Sequence, residues 1–465
     1  MKVSLYRALP GPLQSLARRA YSLLPMRARL GKTYWETHGF LKDAETWDAE
    51  RIQVWQTAQL RRMVAEAYEN TPGYRQLYDE AGVSPGDIRT PADLARLPFV
   101  TKELIRDNLA DFTSRAVPER SRLHRTTGGS TGIPFGFYLT QDNIEQELAF
   151  IHRAWESVGW TLGDSSAVLR GAFVGSETEL WGEDPVFREL KLSTYRLTEA
   201  TYPKFRDKLL RSAPRHLQAY PSSAAILADL VIGAGDEGRL PFALLLLGSE
   251  NLYDWQRERI RRAFPESRQF SWYGHAEQVL FAPACAGSSA LHFHPFYGLV
   301  EILDGEDLPV GEGSLGELVG TSFWMRATPF IRYRTRDMAV RGPVACDACG
   351  RPFPLVERIE GRRQEFVVTG TGRHISMTQI NMHTDVFDHV AQFQFHQTER
   401  GAVTLNLVRK PGYSDTDTSR IRSDMEEKLG EDMTLALAFV DCIGPLPSGK
   451  RGFLRQDLTL ERGVG

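Results

Sequence analysis

Several groups of residues in this chain have the types and spacing that chemistry requires. The first is Thr126-Thr127-Gly128-Gly129-Ser130-Thr131-Gly132-Ile133-Pro134, where glycines and hydroxyl side chains make a loop whose backbone N–H groups can turn inward onto phosphate oxygens. It lacks the Gly-Lys-Ser/Thr ending of a Walker loop, and alone its composition suits a hairpin turn equally well. Two further groups, Gly248-Ser249-Glu250 and Trp272-Tyr273-Gly274-His275-Ala276-Glu277, each follow an apolar, strand-like run. That is the position at which layered α/β sheets bind ligands. Asp337, Arg362 and Lys450 are isolated chemistry-bearing residues; singly, they read as a turn aspartate and two surface cations, and Glu277 as a solvated carboxylate. The last group is Cys346-x-x-Cys349 before Gly350, with Cys285, His292 and His294 upstream. The Cys-x-x-Cys alone suits a metal or a redox pair, but three thiolates and one imidazole make a closed tetrahedral zinc site with no open position for water. We expect structural zinc on Cys285, His292, Cys346 and Cys349, with His294 as the competing nitrogen ligand.

Bulk properties narrow the class. The 465 residues carry a formal net charge of -3 and 42% hydrophobic content, enough for two or three domains and without the charge excess that nucleic acid partners select. The longest apolar run, 242–247, is far short of the roughly eighteen residues of a membrane span. No secretory leader is visible, and four cysteines without a disulfide-like framework suit a reducing compartment, so the expected location is the cytoplasm. Residues 1–34 carry only basic charges among leucines at nearly helical spacing. Such a helix more often packs on its own protein than on anionic lipid, so peripheral membrane contact is the lesser expectation.

Stepping from the chemistry to what must position it, the pattern predicts helices over 51–68, 141–158, 202–211, 223–234 and 255–264. Strands are predicted over 135–139, 166–174, 217–220, 242–247 and 290–293, and Thr90-Pro91 resembles a helix start. Alternation of the two kinds argues for an α/β layered domain with a largely parallel sheet. Toward the C-terminus, the alternating stretch 403–408, a helix over 416–429 and a strand over 434–440 make a separate small α+β unit. The expected organisation is a helical segment over 1–90, a large domain over 91–360 bearing the zinc knuckle, and a small mobile domain over 361–465.

Read in order, Thr127 to Pro134, Gly248-Ser249-Glu250, Tyr273-Gly274-x-x-Glu277, Tyr333 to Asp337, Gly361-Arg362 and Gly449-Lys450 resemble the motif series of the adenylate-forming enzymes. The likeness is greatest to the phenylacetate–CoA ligase branch and its capsular-polysaccharide-associated members. Leu97-Pro98 with Thr101-Lys102 and the Cys346 to Arg351 element are features of that branch. The resemblance implies an AMP-forming acid–thiol ligase using ATP, Mg²⁺ and a thiol acceptor, most simply coenzyme A. It implies that Thr127, Gly129, Ser130, Thr131 and Gly132 hold phosphates and that Gly248, Ser249, Glu250, Trp272, Tyr273, Gly274, Asp337 and Arg362 form the nucleotide site. Within it Tyr273 would stack on adenine, Asp337 accept from the ribose hydroxyls and Glu277 hold Mg²⁺. Lys450 would be delivered by rotation of the small domain, as a catalytic group beside Glu277 and Thr131; the hinge position is Gln364. Two positions depart from the branch pattern: Ile133 stands where lysine is common, and Ala276 where a hydroxyl residue precedes the Mg²⁺ ligand.

The acyl pocket is expected along 170–174, Tyr220-Pro221-Ser222, 249–252 and His275, with Tyr220 and His275 as substrate-binding residues. Its mixed aromatic and small residues suit an aryl or medium acyl acid. The leading expectation is acid–CoA ligation through an acyl-adenylate. The alternatives are transfer to an amine, sugar or carrier protein, or a catalytically weakened nucleotide-binding protein of surface assembly. A homodimer is compatible with all three.

Overall fold

In the computed structural model the described residues are 20–127, 135–170, 179–285, 287–362, 366–371, 374–376, 380, 385–387, 389–444 and 452–458. The glycine loop 128–134, the hinge position Gln364, Lys450 and the basic segment 1–19 lie outside them.

A seven-stranded sheet carries the central layer, in the order β4-β5-β3-β6-β7-β8-β9. Its strands are β3 Ser166–Leu169, β4 Trp181–Asp184, β5 Glu189–Leu192, β6 His216–Ala219, β7 Leu244–Gly248, β8 Arg268–Gly274 and β9 Phe281–Pro283. The five inner strands run parallel and the two edges antiparallel. β7 is a continuous leucine run, buried throughout, as a strand covered on both faces must be. The expected strand 166–174 ends at Leu169, and 171–178 lie outside the described residues.

Helices cover both faces. α1 Lys32–Ala44 packs on α3 Gln141–Glu156, while α2 Ala49–Asn70 starts at Asp48, whose carboxylate accepts from the Arg51 N–H at 2.8 Å. α3 starts in a capping box: Thr140 and Asn143 side chains each accept from the other's backbone N–H, which fixes where the chain turns from hairpin to helix. α4 Tyr202–Ser212, α5 Pro221–Gly233 and α6 Asp254–Ala263 connect the parallel strands. The hairpin β1 Leu123–Thr127 and β2 Phe135–Leu139 brackets the glycine loop in strict antiparallel register. The expected helix start at Thr90-Pro91 is a short 3-10 turn, Pro91–Arg96.

A second, five-stranded antiparallel sheet was not foreseen: β10 Leu291–His292, β11 Gly298–Leu303, β12 Leu315–Ser322, β13 Tyr333–Arg341 and β14 Leu355–Arg362, ordered β10-β14-β13-β12-β11. The Leu97 to Val100 segment straps onto it. Val100 donates to the Arg332 carbonyl and accepts from Arg334, while the Arg332 guanidinium donates to the Leu97 carbonyl and lies 4.0 Å from the Phe99 ring centroid.

Beyond β14 the C-terminal unit holds the hairpin β15 Phe366–Val368 and β16 His374–Ser376 and a four-stranded sheet. That sheet, ordered β19-β18-β17-β20, contains β17 Val390–Glu399, β18 Ala402–Arg409, β19 Thr434–Phe439 and β20 Leu454–Gln456, backed by α7 Asp415–Leu429. Its core includes Phe395, Leu405, Leu407, Ile421 and Met425. Phe453 reaches across to the large domain, its ring 5.6 Å from Tyr253 and 5.7 Å from Trp255 at the start of α6.

Candidate active site

The C-terminal ends of β7 and β8 and the middle of β13 meet. Tyr273, near the end of β8, donates its hydroxyl to Asp337 Oδ2 at 2.6 Å, joining two motifs 64 residues apart. Tyr333, four residues before Asp337 on β13, donates to Glu277 Oε1 at 3.2 Å. His275 Nδ1 lies 3.4 Å from Glu277 Oε2. Glu277 and Asp337 are both buried, and each carboxylate is oriented by a phenol. Asp337 is also the cross-strand partner of Arg362 at the end of β14, which brings the pre-hinge motif to the same spot; the Arg362 side chain lies outside the described residues.

Gly248 pairs with Trp272 across β7 and β8. A Cβ at Gly248 would stand 2.6 Å from the indole, so glycine here is required by close approach. Successive strand residues point to opposite faces, and Tyr273 accordingly turns to Asp337 while Trp272 turns to Trp155 of α3 at 5.5 Å. Trp272 therefore forms packed wall on the face away from the Tyr273–Asp337 pair. Ser249 turns the chain with φ +69°. Glu250 then accepts from the Ser222 N–H at 3.0 Å, tying this loop to the first turn of α5, where a carboxylate also meets the positive end of the helix. Tyr220 is the residue preceding α5.

Residues with no assigned role in the sequence reading also line this region. Glu147 of α3 accepts from the buried Tyr297 hydroxyl, and burial pushes its carboxyl up to about 7, with His275 close enough to counteract part of that rise. His275 Nε2 is enclosed without a hydrogen-bond partner. The sequence carries no signal for Glu147, since its burial beside Tyr297 is set by a contact 150 residues away. Thr127 is described as backbone only; Gly129, Ser130, Thr131, Gly132 and Lys450 are not among the described residues.

The thiol and imidazole groups converge elsewhere. Ligand atoms of Cys285, His292, Cys346 and Cys349 all lie within 4.8 Å of one another. Cys285 Sγ to Cys346 Sγ is 3.8 Å and Cys349 Sγ to His292 Nε2 is 3.6 Å. Edges of about 3.3–3.8 Å are what a tetrahedron with metal–ligand bonds of about 2.0–2.3 Å requires, so the donor set fits zinc. Gly350, with φ +65°, closes the knuckle by donating to the Cys346 carbonyl. Burial, with Arg351 nearby, lowers the His292 pKa and favours the neutral ring that ligates. His294, the expected competitor, belongs to the core instead: it packs against Phe150, Phe281, Phe296 and Phe353, and burial drives its pKa down to about 3. Alternation along a strand would keep residues 292 and 294 on one face, but β10 ends at His292, so that pattern is lost before His294.

Among known proteins, the CapK C-terminal domain family matches residues 367–457. The phenylacetate-coenzyme A ligase of Pseudomonas putida is 30% identical over 353 residues, 73% of this chain and 77% of that protein. Its Escherichia coli K12 counterpart is 28% identical over 381 residues, 78% of this chain and 83% of that protein. Protein CapK of Staphylococcus aureus is 22% identical over 399 residues, covering 83% and 85%. Among solved structures, 2-hydroxyisobutyryl-CoA ligase in the postadenylation state with 2-HIB-AMP superposes with a TM-score of 0.72 at 18% identity, covering 89% of this chain and 91% of that one.

Proposed function

The chain belongs to the phenylacetate–coenzyme A ligase family of adenylate-forming enzymes, and on that premise we propose that it activates a small carboxylic acid with ATP and passes the acyl group to coenzyme A. The acid carboxylate attacks the α-phosphorus of ATP, pyrophosphate leaves, and an acyl-adenylate forms. The thiol sulfur then attacks the acyl carbon and AMP leaves. Joining two anions needs them held in line and their charge offset.

The single observation that supports this reading is that Tyr273 holds Asp337 and Tyr333 holds Glu277, two hydrogen bonds that each tie together motifs more than fifty residues apart. Asp337 accepts from the ribose hydroxyls, with Tyr273 fixing its orientation from beside the adenine. Glu277, buried and held by Tyr333, is the residue that would hold Mg²⁺, whose charge offsets that of the phosphates when bound. The glycine loop with Ser130 and Thr131 cradles the outer phosphates, and Lys450 completes the adenylation site. The Cys285, His292, Cys346 and Cys349 site holds structural zinc, which fastens the segment before β14 to β10. Among the described residues no helix is long and apolar enough to cross a membrane, and the free cysteines suit the cytoplasm.

The test is pyrophosphate release from ATP across a panel of aryl, fatty, hydroxy, amino and dicarboxylic acids, with and without coenzyme A. Acid-dependent pyrophosphate and AMP with a thioester product support the reading. Pyrophosphate release with no thioester moves the acceptor to an amine, sugar or carrier protein, and no release with any acid rejects the ligase.

A further inference from the structure

Arg170 follows β3 directly, and β3 lies between β5 and β6 at the centre of the parallel sheet. Its guanidinium carbon sits 5.4 Å from the Trp272 ring centroid and 6.0 Å from that of Tyr220. It donates one long hydrogen bond, from Nη2 to Ser249 Oγ at 3.5 Å. Nε is sealed from solvent with no hydrogen-bond partner, and no carboxylate among the described residues forms an ion pair with this side chain. Several other arginines are paired, Arg332 with Glu301, Arg334 with Glu317 and Asp307, and Arg153 with Glu45 and Glu156, while Arg257 shares with Arg170 an Nε that has no hydrogen-bond partner among the described residues.

Burial works against the charge on Arg170, and the Tyr220 phenol and then the Glu189 carboxylate act on it favourably. A guanidinium does not shed its proton, so it stays charged and undercompensated. A largely buried charge with no carboxylate partner among the described residues is costly, and a fork of five donors beside two aromatic rings is suited to a planar anion. The position excludes the ribose side of the site. Trp272 and Tyr273 point to opposite faces of β8, so the arginine over Trp272 lies across the strand from the Tyr273–Asp337 pair. The face it occupies is lined by Tyr220, Ser249 and Trp272, where the acid is expected to enter.

We propose that Arg170 binds a second anionic group on the acyl substrate, so that the preferred acid is a dicarboxylic acid whose distal carboxylate pairs with this guanidinium. The inference rests on the ligase reading and names its substrate class. The distal carboxylate supplies a counter-ion that no described residue provides, and Trp272 and Tyr220 flank the carbon chain between the two carboxylates. Arg170 is on this account a specificity residue.

The experiment compares dicarboxylic acids of increasing length with their monomethyl esters and with phenylacetate, measuring kcat/KM for pyrophosphate release by the wild type, Arg170→Gln and Arg170→Lys. The wild type is expected to favour one diacid over its half-ester by about 100-fold, a ratio typical of a desolvated charge pair. Arg170→Gln collapses that ratio toward unity, chiefly through KM for the acid, and Arg170→Lys restores part of it. The same diacid raises the thermal midpoint of the wild type more than that of Arg170→Gln. Equal activity on diacid and half-ester, or an equal loss on both in Arg170→Gln, overturns the inference while the ligase reading stands. So does a raised KM for coenzyme A with an unchanged acid ratio, which would assign the arginine to a phosphate of the thiol substrate. Pyrophosphate release with none of the acids rejects the ligase reading itself.

Discussion

Glu147 shows how far one side chain's behaviour departs from what its letter suggests. On a helix whose apolar residues 148, 151, 155 and 158 mark one face, an acid at 147 reads as solvent-facing. The structure covers that side too, because the segment at Tyr297 closes over the carboxyl. A carboxyl raised to about 7 in the fold, against 4.5 for its ordinary value, keeps its proton in the native state after the unfolded chain has lost it. The native state then binds more protons between these values, so stability falls as pH rises through that window. The thermal midpoint of the wild type relative to Glu147→Gln should therefore decline from about pH 5 to about pH 8; a difference constant with pH contradicts the assignment. The roles proposed for Asp337 and Glu277 rest at this scale on motifs that stand in sequence order. Their partners Tyr273 and Tyr333 could not be read from spacing, since each hydrogen bond spans more than fifty residues.

At the scale of elements, the parallel sheet was legible and the antiparallel one was not, for a physical reason. A strand buried on both faces is a continuous apolar run, as in β7, and needs no partner to be recognised. β13 instead carries Arg334, Arg336 and Asp337, whose charges are met by Glu317 and Asp307, by Glu103 and by Tyr273, so its sequence resembles exposed loop. The contact of β7 with β8 gives a direct test. Gly248→Ala drives a methyl group into the Trp272 indole and should cost about 1–3 kcal/mol by denaturant unfolding. Truncating the indole in the double variant Gly248→Ala/Trp272→Leu should leave a loss smaller than the sum of the two single losses. The Cys285, His292, Cys346 and Cys349 cluster, proposed to hold zinc, is an element of the same kind, small and held by its ends. Metal analysis should find about one zinc per chain, and Cys346→Ser should lose it and lower the thermal midpoint, since structural metal binding contributes folding free energy. Protein without stoichiometric metal but with an unchanged melt would assign the cluster to thiol packing alone.

Taken whole, the molecule brings a small C-terminal unit against the large domain beside the loop that follows β7. Phe453 lies between Tyr253 and Trp255 of the large domain and stacks on Phe393 of β17 at 5.2 Å. Both flanks of the Lys450 segment are fastened to β17: the Ile443 N–H donates to Gln392, and the Gly452 carbonyl accepts from Gln394. Phe453→Ala should therefore slow adenylation about 10-fold or more by loosening this docked arrangement, while thiolysis of supplied acyl-adenylate changes less. Equal slowing of both half-reactions contradicts a docking role. The small unit itself was legible from its alternating strand and amphipathic helix; the aromatic seam was not, because Phe453 and Tyr253 are 200 residues apart and neither belongs to a patterned element.

The most direct measurement of the central claim, that scattered motifs meet in one adenylate-forming site, is acid-dependent ATP–pyrophosphate exchange by the wild type beside Glu277→Gln and Asp337→Asn, with folding checked by thermal melts. The account predicts exchange by the wild type and losses of about 100-fold or more in each variant at unchanged fold. Exchange that survives both substitutions, or a wild type that cleaves ATP only to ADP and phosphate, would contradict it.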